Sequence, residues 1–145
     1  MKFKKRMLSV LVAALLVLGL AGGAMAAWGT KELDTEKIAL TFLAEVQRGG
    51  YKVLGTQELK SWIDQKKAML IVDTMPFEDS YKKQHVPGAV QMLFPIPEMT
   101  TIDDKTKSDL EKLLGPDKDR LIVFYCGFVK CTRSHNGAMW AVRLG

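Results

Sequence analysis

Two short, unbroken apolar runs set the limits on what this chain can fold into. One is Ala68-Met69-Leu70-Ile71-Val72, which ends in Asp73. The other is Leu121-Ile122-Val123-Phe124-Tyr125, which runs straight into Cys126. Each has the length of a strand and lacks polar alternation. The first, read as buried on both faces, suits a central strand of a parallel sheet covered by helices. The segments around them carry helical signals. Thr56 is placed to cap a helix that sets Leu59, Trp62 and Ile63 on one face. Phe77 to Lys83 suggests a short helix, and Lys105 to Leu114 a longer one ended by Gly115-Pro116. Ser134 to Leu144 suggests a last helix, with Ala138, Trp140, Ala141 and Leu144 free to pack. Tyr51 to Leu54 reads as a short strand, and His85 to Val90 as a turn followed by another. Strands alternating with helices predict an α/β fold with a mostly parallel central sheet flanked by helices.

The N-terminus has a different character. Lys2, Lys4, Lys5 and Arg6 precede an apolar run from Leu8 to Leu20, and Ala24-Met25-Ala26 follows as a small-x-small site. That order is the signature of a signal peptide, residues 1–26, cleaved after Ala26. The run is too short for a spanning helix, which needs about 20 residues. No cysteine stands near the cleavage site to carry a lipid anchor. The expected location is the periplasm or the exterior, with no membrane span after signal removal. Losing the leader and its four positive charges lowers the formal net charge from +5 to +1 over 119 residues. A near-neutral domain gives no basis for a nucleic-acid patch. Residues 27–50 are expected to be a polar lead-in, Ala27 to Leu33, then an amphipathic helix. Asp34 would cap that helix, and Ile38, Leu40, Phe42, Leu43 and Val46 would cover the domain's own core until Gly49-Gly50 stops it.

Ligands of open α/β sheets bind beyond the carboxyl ends of the strands. The two apolar runs end there in Asp73 and in Cys126. Between the second run and the last helix lie Gly127, Phe128, Val129, Lys130, Cys131, Thr132 and Arg133, followed by Ser134. A loop that turns successive amides toward a helix N-terminus forms an anion cradle. It also lowers the pKa of a cysteine within it and so supplies a thiolate nucleophile. Cys126 is the candidate nucleophile. Gly127, Phe128, Val129, Lys130, Thr132, Arg133 and Ser134 are the candidate loop and anion-binding residues. Cys126 and Cys131 are the chain's two cysteines, and a bridge between them would close a small loop, with a correspondingly small gain in chain entropy. Cys126, Cys131 and His135 make three ligands where a closed zinc site takes four. No metal and no cofactor is therefore expected.

Three stretches resemble the rhodanese (thiosulfate sulfurtransferase) domain family. Leu70-Ile71-Val72-Asp73, with Phe77-Glu78 and Tyr81, resembles its strand, aspartate and short helix. His85-Val86-Pro87-Gly88-Ala89-Val90 resembles its His-Pro-Gly-Ala signature. Ile122-Val123-Phe124-Tyr125-Cys126, with Arg133-Ser134 and Gly145, resembles its catalytic strand, nucleophile and loop end. The resemblance covers 51–145 and implies a three-layer sandwich whose last strand and helix are missing here. It also implies a reaction: Cys126 takes a sulfane sulfur from a small anionic donor such as thiosulfate and passes it to a thiol or cyanide. Asp73 and His85 would support the loop and strand ends.

The chain departs from that pattern in three places. Six residues, Gly127 to Thr132, separate Cys126 from Arg133, more than the family's usual loop. Thr74 follows Asp73 where the family commonly has arginine. Cys131 stands inside the loop, where it could resolve an oxidised or persulfidated Cys126 by forming a disulfide. Two other readings follow: a dithiol–disulfide redox protein using Cys126 and Cys131, and a non-catalytic binding module with a protein partner in the periplasm.

Overall fold

Leu70-Ile71-Val72-Asp73 forms strand β1, and all four residues are buried. It lies at the centre of a three-stranded parallel sheet in the computed structural model, which describes residues 29–128 and 130–145. Strand β2 is Val90–Gln91 and β3 is Ile122–Tyr125, giving the order β2-β1-β3. The register aligns Asp73 with Gln91 on one side and with Tyr125 on the other, so the carboxyl ends of all three strands finish together. The helices are α1 (29–49), α2 (Thr56–Asp64), α3 (Asp104–Leu114) and α4 (Thr132–Arg143), with a π-helical turn at Phe77–Tyr81. The α/β class and the flanked parallel sheet are as the sequence implies.

The core forms around Phe94, Leu110 and Leu114, with Met92, Met99, Ile102, Ile122, Phe124, Trp140, Ala141 and Leu144 packed against them. It joins α3 and α4 to β3 and to the segment after β2. Helix α4 approaches β3 closely: a Cβ built at Gly137 would lie 2.5 Å from the Phe124 ring. Asp103 starts α3 by accepting from the Thr106 amide at 2.9 Å and from its hydroxyl at 2.6 Å. Gly88 has φ 79°. It follows Pro87 in a turn closed by Ala89 N–H donating to Val86 O at 2.9 Å. Proline then glycine at the two central positions suits a turn that needs positive φ at the second.

Several local expectations change. Tyr51 to Leu54 is not a strand. The sheet gives it no partner, Val53 is exposed, and the Tyr51 hydroxyl is drawn instead to His135. Helix α2 is preceded by Gly55 in extended conformation with no side-chain cap, and Thr56 is its first helical residue. Asp34 lies inside α1 rather than at its start, because residues 29–33 are already helical. The short helix at 77–83 is a π-helical turn ending at Tyr81.

The chain divides into two compact units, Met1–Thr41 and Phe42–Gly145. Within the first, the described residues are helical, and the Thr35 and Thr41 hydroxyls donate back to the carbonyls of Lys31 and Lys37. Leu33, Ile38 and Leu40 are more than half exposed. Within the second, Glu45 of α1 is buried and Leu43 is exposed. The signal peptide expected at 1–26 and the start of the lead-in lie outside the described residues. Among the described residues no helix is long and apolar enough to cross a membrane.

Candidate active site at the ends of the parallel strands

Asp73 and Cys126 emerge at the same edge of the sheet because β1 and β3 run parallel with Asp73 opposite Tyr125. Asp73 is fully buried. Its Oδ1 accepts from the Met75 amide at 2.8 Å, and its Oδ2 accepts from the Tyr125 hydroxyl at 2.6 Å. The Tyr125 oxygen in turn accepts from the Val86 amide at 3.0 Å. Burial, and next the donation to Asp73, push the Tyr125 phenol upward. A buried carboxylate needs such donors, because an unsatisfied one loses its hydration without return. The network ties three points together: the end of β1, the residue before Cys126, and the His85-Val86-Pro87-Gly88 turn.

The turn is fixed from its other side as well. The Tyr81 hydroxyl donates to Ala89 O at 2.7 Å. His85 Nδ1 lies 2.8 Å from Tyr81 O, and the two rings stack with centroids 4.1 Å apart. His85 is therefore held within the turn, and Asp73 within the strand ends. Met75 completes the floor of the loop. Its carbonyl accepts from Gln91 Nε2 at 2.7 Å and its sulfur from the Ser80 hydroxyl at 3.2 Å. A Cβ at Gly127 would come within 3.3 Å of the same sulfur.

Cys126 and Cys131 are joined by a disulfide, with Cα atoms 6.0 Å apart across a separation of five residues. That spacing lies within the range a disulfide spans without moving the backbone. The two cysteines differ in setting. Cys126, at the carboxyl end of β3, is partly exposed, whereas Cys131 is 7% exposed. Cys131 is the N-cap residue of α4 and makes no side-chain capping bond, and no acidic residue stands in that helix's first turn. The first-turn amides and the helix dipole are thus turned toward the loop.

The remaining loop residues separate into groups. Gly127 and Phe128 are exposed, Phe128 by 69%. Lys130 is partly buried and forms no ion pair among the described residues. Thr132 opens α4. Ser134 donates to the Cys131 carbonyl at 3.0 Å. Arg133 donates to the Phe94 carbonyl, so at least one of its five N–H groups is turned to the backbone behind the loop. Val129 lies outside the described residues.

Sequence reasoning missed the polar face of α4 and the supports of the loop. Asn136 is fully buried. Its side chain accepts from Met99 N at 2.9 Å and donates to the carbonyls of Pro95 at 3.0 Å and Pro97 at 2.9 Å. His135, 3% exposed, has Nδ1 2.9 Å from the Tyr51 hydroxyl and Nε2 3.3 Å from Glu98 Oε1. Nε2 is buried and has no hydrogen bond of good geometry, and the direction of the Nδ1–Tyr51 contact follows the ring tautomer. Arg48 pairs with Glu98 at 2.7 Å, and that hydrogen bond holds the Glu98 carboxyl below the usual range. Burial, with the charge of Glu45 second, pushes the Tyr51 phenol up to about 12. The one legible signal was an Arg-Ser-His-Asn run at the start of an otherwise apolar helix.

A cleft of about 240 Å³, lined in part by Tyr51, Leu114, Arg120 and Ile122, opens at the amino end of β3 and includes neither cysteine. Among the described residues there is no cluster of three or more histidine, cysteine or acidic side chains set to hold a metal. The chain matches no curated protein and no solved structure. A family model, the rhodanese-like domain, matches residues 55–145. That span takes in the parallel sheet, the buried Asp73, the clamped turn and the two-cysteine loop, and the chain belongs to the rhodanese-like domain family.

Proposed function

We propose that this chain is an exported sulfurtransferase that moves a sulfane sulfur from a small anionic donor such as thiosulfate to a thiol or cyanide, through a persulfide on Cys126. The observation that carries this reading is the position of Cys126. It stands at the carboxyl end of β3, inside the family-matched span, facing a helix start that holds no acid. Once reduced, the Cys126 thiolate attacks the outer sulfur of thiosulfate. The Cys126 sulfur–sulfur bond forms, the donor's sulfur–sulfur bond breaks, and sulfite leaves with the electron pair. The loop amides, Lys130 and Arg133 supply positive potential for the dianion as it approaches. Export through residues 1–26 belongs to the same reading, and N-terminal sequencing of protein from a periplasmic fraction should begin at Ala27.

The test is sulfite and thiocyanate formation by pre-reduced protein given thiosulfate and cyanide. Both products should vanish with Cys126→Ser. A folded wild-type chain that makes neither overturns the proposal. The disulfide favours a second reading, a dithiol–disulfide exchange protein. It requires a reversible Cys126–Cys131 couple in the range of exchange proteins, roughly −120 to −270 mV, in a chain that yields no thiocyanate.

A further inference from the structure

The bridge closes on the one sulfur that the proposed reaction needs free. A reaction that ends in this bridge, rather than one blocked by it, accounts for both cysteines. We propose that Cys131 is a second catalytic thiol, which resolves the Cys126 persulfide, releases hydrogen sulfide and leaves the Cys126–Cys131 disulfide for an external dithiol to reduce. This inference rests on persulfide formation at Cys126.

The step balances. The Cys131 thiolate attacks the Cys126 Sγ of the protonated persulfide. The Cys126–Cys131 bond forms, the bond to the outer sulfur breaks, and HS⁻ leaves with the electron pair. The sulfane sulfur is reduced to sulfide and the two thiols are oxidised to the disulfide. Two electrons and two protons from a dithiol reductant then restore the starting state, and the reductant becomes a disulfide.

The geometry suits each half of the cycle. The two Cα atoms are 6.0 Å apart, so Cys131 reaches Cys126 with the loop in place. Cys131 is the N-cap of a twelve-residue helix with no first-turn acid and no capping bond of its own. Helix-start amides favour negative charge at that position. That field assists Cys131 both when its sulfur attacks and when it departs on opening of the disulfide. Accessibility points the same way. Cys126 is partly exposed and Cys131 is 7% exposed, so an incoming dithiol meets Cys126 first and expels Cys131 toward the helix start.

The experiment uses reduced full-length chain, desalted to remove reductant, with thiosulfate and no acceptor. Intact mass, free thiols and released sulfide are followed together. The wild type should lose both thiols, carry no added sulfur at the end point and release stoichiometric sulfide. Cys131→Ser and Cys131→Ala should stop at a single added sulfur and release at least tenfold less sulfide. Two variants guard against a folding defect in either, and the wild-type stoichiometry stands without them. A wild-type persulfide that persists with Cys131 still free overturns the inference while sulfur transfer survives. Sulfide release from the Cys131 variants at the wild-type rate overturns it too. Absence of added sulfur from every form, together with no sulfide, removes the underlying sulfurtransferase reading instead.

Discussion

At the scale of single residues, the strand ends at the candidate site are held by side chains bonded to one another. Tyr125 is the clearest case. Its hydroxyl serves the buried Asp73 carboxylate and the Val86 amide together. Tyr125→Phe leaves both without that partner and should cost about 1–3 kcal/mol, read as a lower denaturant midpoint at unchanged slope. The loss should be accompanied by slower loading of Cys126, because the adjacent strand end and the His85 turn come loose together. Tyr51 predicts a pH dependence. Its phenol is raised to about 12 in the folded chain, against about 10 when unfolded. A raised tyrosine contributes stability that is complete below pH ~10 and is lost as the pH climbs through about 12. Unfolding measured from pH 9 to 12 should show that decline, and Tyr51→Phe should make it shallower without abolishing it, because the Tyr125 phenol is raised as well.

At the scale of elements, α4 is positioned by one missing side chain. Gly137 lets the helix sit against Phe124 on β3, the strand that delivers Cys126. Alanine favours a helix intrinsically by about 1 kcal/mol, yet Gly137→Ala should destabilise by about 1–3 kcal/mol through overpacking. A more stable variant, by thermal melting, would contradict that. The elements also show what the sequence made legible. Both apolar runs became strands within a residue or two, because an unbroken apolar run of strand length needs no distant information, although only β1 is buried throughout. Gly115 ended α3 for the same local reason, whereas its cap, Asp103, stands two residues before the expected start at Lys105. Tyr51 to Leu54 failed as a strand because Tyr51 has its partner 84 residues away. The Asp73–Tyr125 bond crosses 52 residues. Asn136 is opposed by two proline carbonyls that carry no sequence signature of their own. Periodicity reports which face is buried, and it is silent on which polar atoms meet there.

At the scale of the whole molecule, the sheet is asymmetric. β1 is paired on both sides and buried throughout, whereas every residue of β3 is half-buried. Amide exchange should therefore be slowest in Leu70 to Asp73 and measurably faster in Ile122 to Tyr125, since local opening follows burial and pairing. Equal protection in the two strands would show that they open as one unit. The disulfide has a separate consequence for how such a domain can be varied. It pins the exit of a strand to the entrance of a helix, and the four residues between the cysteines hang from two fixed points. That stretch is an exchangeable cassette. On the proposed reading, variants of different length or charge in this stretch should differ in the anion they accept, with the same bridge re-forming on oxidation.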